Sequence, residues 1–159
     1  MFGRLALLGI FLFSACSDVN SGWTVDGGGY MKLKVNGESL RLDIDPDDGD
    51  VKLRINKHYV SFVGKNSSGD ALQILVNKPV LGKNAPQTNP SYTYLVLGGG
   101  LPAQIIDAKS SYVSFDQKDS LLWSADLHLV FNHCGIDECD SSRVLVEGRM
   151  RYWVDPDDR

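Results

Sequence analysis

Cysteine and histidine are scarce here, three of each in 159 residues. That scarcity narrows the available chemistry. His58, His128 and His133 do not cluster in sequence, and no serine or cysteine sits in a recognisable nucleophile elbow. With no catalytic constellation, the expectation is a protein that is not an enzyme and needs no cofactor. Basic residues are not in excess either. Sixteen Lys+Arg stand against 20 Asp+Glu, a net charge of −4, which argues against a nucleic-acid partner. Long apolar runs are missing too: the stretch Leu5–Phe13 falls short of the roughly 20 residues that span a bilayer. No long stripe of helical periodicity runs through the rest.

What that short apolar stretch does have is the right flanks. Arg4 precedes it and Ser14-Ala15 follows, the charged head, apolar core and small-residue cut of a secretory signal peptide. The next residue is Cys16. A cysteine directly after the cut resembles the lipobox of bacterial lipoproteins. The resemblance implies that the Cys16 thiol receives a diacylglyceryl group and becomes the mature N-terminus, held stably by several acyl chains. Ser17 stands where an inner-membrane lipoprotein often has Asp, so the implied location is the outer membrane, facing the periplasm of a Gram-negative cell envelope. The polar run Ser17–Gly22 reads as a tether. The expected organisation is a signal peptide over 1–15, a lipidated cysteine and tether over 16–29, one domain over 30–155 and a tail over 156–159.

With Cys16 alkylated, Cys134 and Cys139 remain as a pair. In an oxidising compartment their spacing reads as a disulfide closing a small loop, with about 2 kcal/mol of stabilisation in the loop-entropy model. The rival, a metal site from His133, Cys134 and Cys139, needs a fourth ligand and reduced thiols. The spacing favours the disulfide.

The body alternates with period two. Met31, Leu33 and Val35 interleave with lysines, Asn36-Gly37 supplies the strongest two-residue hairpin signal, and Leu40, Leu42 and Ile44 return. This register sets Leu33 against Leu40, Met31 against Leu42 and Lys32 against Arg41, with Asp43 offsetting the like charges diagonally. After a turn at Pro46–Gly49, Val51, Leu53 and Ile55 continue the meander. Further strands are expected at Tyr59–Gly64, at Leu72–Val76, around Tyr92, Tyr94 and Val96, and at Tyr112–Asp116. Lys78–Pro90, with three prolines, reads as a long loop, and Leu101–Ser110 as an edge strand or a single helical turn. The last hairpin is the most legible. Leu121, Trp123, Ala125, Leu127, Leu129 and Phe131 share one face, answered by Val144, Val146, Met150, Tyr152 and Val154. Gly148 among them signals a bulge or close backbone approach. The fold class is therefore all-β, an antiparallel β-sandwich of about eight to nine strands, with a closed barrel as the alternative. Lys34-Val35-Asn36-Gly37-Glu38 and Val146-Glu147-Gly148-Arg149-Met150 resemble the ends of small bacterial β-sandwich lipoproteins, a resemblance that implies no activity.

Two surfaces invite a function. The acidic run around Asp43, Asp45 and Asp47 is a weak calcium candidate, but neither the glycine nor the glutamate of an EF-hand loop falls in place, and no metal site is assigned. Arg143, Arg149 and Arg151, with Trp153 and Leu145, face outward from the last strand, the composition of a protein-binding hot spot. Lys32, Lys34, Arg41, Lys52 and Arg54 would join one face if the first three strands are neighbours. The expectation is a lipid-anchored module that binds or scaffolds an envelope protein. The rivals are an immunity or inhibitor lipoprotein that neutralises an envelope-acting toxin or hydrolase, and a carbohydrate-binding module or enzyme. That last would need a groove bearing Trp153, Tyr92 or Tyr94 beside carboxylates.

Overall fold

The computed structural model describes residues 23–25, 27–44, 53–55, 58–98, 100, 103–105, 109–119, 121–134 and 139–154. In chain order the strands are β1 (Trp23–Val25), β2 (Gly27–Val35), β3 (Glu38–Ile44), β4 (Leu53–Ile55), β5 (Tyr59–Lys65) and β6 (Ala71–Asn77). Then come β7 (Gly82–Asn84), β8 (Tyr94–Val96), β9 (Ala103–Ile105), β10 (Tyr112–Lys118), β11 (Leu122–Cys134) and β12 (Cys139–Val154). All described pairings are antiparallel, and no helix occurs among the described residues.

The strands form two layers. One runs β3–β2–β12–β11–β10–β7, the other β1–β4–β5–β6–β8–β9. Thin seams join them: Asp43 pairs with Lys65 between β3 and β5, and β11 meets β9 at Phe131–Ile105 and Asn132–Gln104. By contrast β2 and β12 stay paired from Gly27–Val154 to Val35–Val146. This unevenness makes the molecule a sandwich pinned at its edges rather than an evenly paired barrel.

Sequence chemistry explains the first layer closely. Asn36 and Gly37 both hold positive φ, 49° and 90°, the pair of values a type I′ turn demands. The resulting register matches Leu33 with Leu40, Met31 with Leu42 and Lys32 with Arg41, as the alternation predicts. Asn36 also extends the β2–β12 ladder: its N–H donates to Leu145 O (2.8 Å), and its Oδ1 accepts from Leu145 N–H (2.9 Å). Gly148 is where β12 crosses closest to β2. An added Cβ there would collide with the Lys32 carbonyl oxygen and lie 2.8 Å from Leu33 Cα. The close-approach reading of that glycine holds.

The core is apolar and continuous between layers. Met31, Leu42, Phe62, Leu72, Ile74, Phe115, Leu129, Met150 and Tyr152 are all at most 1% exposed. Phe62 of β5 meets Phe115 of β10 and Trp123 of β11 at ring-centroid distances of 5.9 and 6.0 Å. Phe115 and Trp123 pack edge to face at 5.6 Å. Such ring pairs add about 0.5–1.5 kcal/mol each beyond the area they bury.

Several expectations need correction. The strands at Met31–Val35, Leu40–Ile44 and Leu53–Ile55 do not form a meander, because β4 pairs with β1 and β5 and not with β3, and the Arg54 side chain lies outside the description. Lys52 and the turn at Pro46–Gly49 lie outside the described residues. Strand pairing begins at Trp23, within the stretch 16–29 read as a tether. The loop Lys78–Pro90 contains β7, which pairs with β10, and Pro86 bridges to Val76. Asn84 makes this order possible despite the prolines. Its side chain accepts from Val80 N–H and donates to Val80 O and Gly82 O, replacing ladder bonds the loop cannot make. In β8 the core residue is Leu95, with Thr93 buried before it, whereas Tyr92 is exposed and Tyr94 and Val96 are half-buried. The obscure stretch after residue 100 supplies β9, which pairs on both sides and is not an edge. Leu121 leaves the inward set because the Asp119 carboxylate accepts from Leu121 and Leu122 N–H, bending the chain before β11 begins.

Candidate functional site

The outward residues of β12, β2 and β3 assemble the strongest surface cluster. Inward Met31 and Leu33 force Tyr30, Lys32 and Lys34 outward, and inward Met150 and Tyr152 do the same for Arg149, Arg151 and Trp153. Register then sets Arg151 beside Tyr30 and Tyr30 beside Asp43, with Arg149, Lys32 and Arg41 in the next row. Tyr30 is the hub. Its ring lies 5.8 Å from that of Trp153, and the Lys32 ammonium and Arg41 guanidinium stand 5.2 and 5.0 Å from its centre. Trp153 remains 43% exposed. A shallow depression of about 730 Å³ continues the surface, with Lys32, Lys34, Arg41, Glu147 and Arg149 on its walls.

Of the four residues expected to form a binding face, two belong to this cluster. Trp153 and Arg151 flank Tyr30, but Arg143 pairs with Asn132 far along β12. Ten residues of strand separate it from Trp153, about 33 Å at the usual rise. Arg149 points to the same side, but its charge is engaged. Its Nη1 donates to Asp126 Oδ1 at 2.9 Å, and its Nη2 donates to Ser124 Oγ at 2.9 Å and to Asp116 Oδ2. A break in register between Phe115 and Gln117 turns Asp116 toward it, the re-aiming that bulges perform. The Asp116 hydrogen bond holds the Arg149 guanidinium above its ordinary pKa. Burial pushes the Asp116 carboxyl up, but hydrogen bonds from Ser124 and Arg149 outweigh it and hold Asp116 below its usual range. Arg149 is thus a fastener between β10, β11 and β12 rather than a recognition cation.

Asp43 did not offset Lys32 diagonally; it accepts from Arg41 Nε along its own strand at 2.9 Å. Of the calcium candidates, only Asp43 is described, while Asp45 and Asp47 lie outside. Among the described residues, no group of three His, Cys, Asp or Glu could hold a metal. His128 stands on the polar face as expected, stacked on Tyr112 at 5.1 Å with Nδ1 3.0 Å from Glu147 Oε1. Lys83 caps the other side of the Tyr112 contact, 4.2 Å from the ring centre. Cys134 and Cys139 are register partners across the last hairpin, and the intervening residues 135–138 are outside the description, as is Cys16.

Tyr30 was missed by sequence reasoning. The signal was present: it occupies the same phase as Lys32 and Lys34, so its ring had to face out. Comparison with known proteins adds no assignment: no family model, curated protein or solved structure matches the chain.

Proposed function

We propose that this chain is a lipid-anchored envelope module that binds another protein through the outward face of β12, β2 and β3. The observation that carries this reading is the Trp153–Tyr30 pair, an exposed Trp153 against a half-buried Tyr30 on a well-paired sheet, flanked by Lys32, Arg41 and Arg151. Tryptophan, tyrosine and arginine dominate interface hot spots because they bury large area at low entropic cost and end in polar groups. Two long strands keep that pair in place, so little ordering is needed on association.

The anchor in this reading is Cys16, lipidated after removal of residues 1–15 and facing the periplasm from the outer membrane. Cys134 and Cys139 form its disulfide, a reading supported by their opposed register at the end of the hairpin. Labelled fatty acid should enter the wild-type chain and not Cys16→Ser, while the thiol count under denaturing conditions should rise by two on reduction. For the binding surface, the full chain with Cys16→Ser is used to capture partners from envelope extract beside the same chain carrying Trp153→Ala. One stoichiometric protein held by the first and lost by the second supports the reading. Equal capture by both, or none by either, refutes it.

A further inference from the structure

The opposite layer carries a second groove, of about 530 Å³, over the outward face of β5 and β6. Its lining is Tyr59 and Ser61 of β5, Gln73, Leu75 and Asn77 of β6, and Gln87, Ser91 and Tyr92 of the following segment. Among these described residues no side chain is charged. We propose that this groove binds a neutral oligosaccharide.

The geometry is built rather than incidental. Beyond Gln73, β6 has no β8 partner, and the segment 87–93 takes over its ladder. Gln87 N–H donates to Leu75 O at 2.8 Å, and Leu75 N–H donates to Thr93 Oγ1 at 3.3 Å. Asn89 then shapes the wall: its carbonyl accepts from Tyr92 and Thr93 N–H, and its side chain accepts from Ser91 N–H at 2.9 Å. Tyr92 is therefore carried on a fixed turn while 48% of it stays exposed. The floor is set by Ser61 and Leu75, 6% and 9% exposed.

The chemistry of that lining selects the ligand. Side-chain amides and hydroxyls each donate and accept, as sugar hydroxyls do. Tyrosine rings offer a flat apolar face to the C–H side of a pyranose and a polar tip beyond it. Among the described lining residues no charged group stands to offset the desolvation of an ionic ligand, which costs heavily. A peptide is favoured less, because its common recognition modes use an unpaired strand edge, an apolar trench or a charged cluster. Here the β6 edge is already occupied by the 87–93 segment, and Leu75 is the one aliphatic residue among the described lining residues. The volume falls in the usual range of small-ligand sites, about 300–1,000 Å³. The described lining offers amides and hydroxyls rather than carboxylates, the equipment of a binding groove. This differs from the carboxylate-bearing groove the sequence suggested, and Trp153 lies on the other layer.

The test is nuclear magnetic resonance of the ¹⁵N-labelled full chain carrying Cys16→Ser. It is titrated to millimolar levels with neutral tetrasaccharides: β-1,4-linked N-acetylglucosamine, β-1,4-glucan and α-1,4-glucan. At least one should saturably shift the side-chain amide signals of Gln73, Asn77 and Gln87. Tyr92→Ala and Gln87→Ala should each weaken that sugar about tenfold, the effect of losing roughly 1.4 kcal/mol, with backbone spectra otherwise unchanged. Trp153→Ala should leave it intact, which separates this site from the protein-binding face. No shift with any sugar overturns the proposal, as do shifts that survive both substitutions. A capped neutral tetrapeptide moving these signals where the sugars do not would also overturn it.

Discussion

The two outer faces of this sandwich are built from the same alternation and end in opposite chemistry. Across β12, β2 and β3 the outward residues are Trp, Tyr, Arg, Lys and Asp, and they meet solvent directly. Across β5 and β6 they are Tyr, Ser, Val, Gln, Leu and Asn, partly roofed by the 87–93 segment, under which Leu75 is 9% exposed. The first layer is held by long ladders, broken only by register shifts between Phe115 and Gln117 and between Asn132 and Cys134 among the described residues. The second depends on single side chains (Asn66, Asp70, Thr93) that hold the chain where strands run out. A face that meets solvent can be charged, whereas a face that carries a roof must be neutral or paired. The chemical difference between the two proposed sites follows from which layer has a roof.

The largest effect should come where the layers meet. Phe62→Ala removes the ring that contacts Phe115 and Trp123, and a loss of about 3–5 kcal/mol is expected in denaturant unfolding. Tryptophan fluorescence and far-ultraviolet circular dichroism should give one coincident transition, and separate transitions would mean that the two layers are independent units. Next comes Gly148→Ala, which forces a Cβ onto the Lys32 backbone and strains a residue at φ 154°. A loss of about 2–4 kcal/mol is expected, and a near-neutral result would show that β2 and β12 are not in close register. Arg149→Met tests the fastener. Its ion-pair side chains are 37–59% exposed, so solvent screening limits the expected cost to about 1 kcal/mol, shrinking further at high salt.

The smallest effect concerns acid stability of the second layer. Gly98 N–H and the Asn66 amide hold the Asp70 carboxyl below its ordinary pKa. A carboxyl depressed in the folded state adds stability that is complete above its unfolded value, about 4, and is lost as pH falls through the folded one. The stability gap between wild type and Asp70→Asn should therefore be constant near neutrality and close as the solution is acidified below about pH 4. A gap that widens in acid would reverse the assignment.

Much of the first layer was legible because each cue agreed with the others. Asn36-Gly37 demanded a type I′ turn, the turn fixed Leu33 against Leu40, and that register buried one apolar set. The long hairpin of β11 and β12 gave its inward residues by alternation, with Leu121 exposed, Val144 half-buried and the Val154 side chain outside the description. The second layer resisted for physical reasons. β5 is buried on both faces, so Val60 through Gly64 show no alternation. β7 and β9 are three residues each; β7 takes its partner from distant β10, and β9 pairs with β11 as well as with neighbouring β8, which leaves little local signal. The β8 phase slipped because Tyr92 and Tyr94 look like core residues while Leu95 is the one inside. In the candidate site, Trp153 and Arg151 could be placed from strand phase. The engagement of Arg149 could not, since it depends on a bulge that brings Asp116 across from another strand.

Site-specific photocrosslinking in living cells tests the binding surface most directly. With a photoreactive phenylalanine at position 153 of the full chain, irradiation should yield one discrete adduct with a single other protein. The same probe at the exposed loop residue Ser67 should yield none. No adduct from position 153, or the same set of adducts from both positions, would contradict a protein-binding face centred on Trp153 and Tyr30.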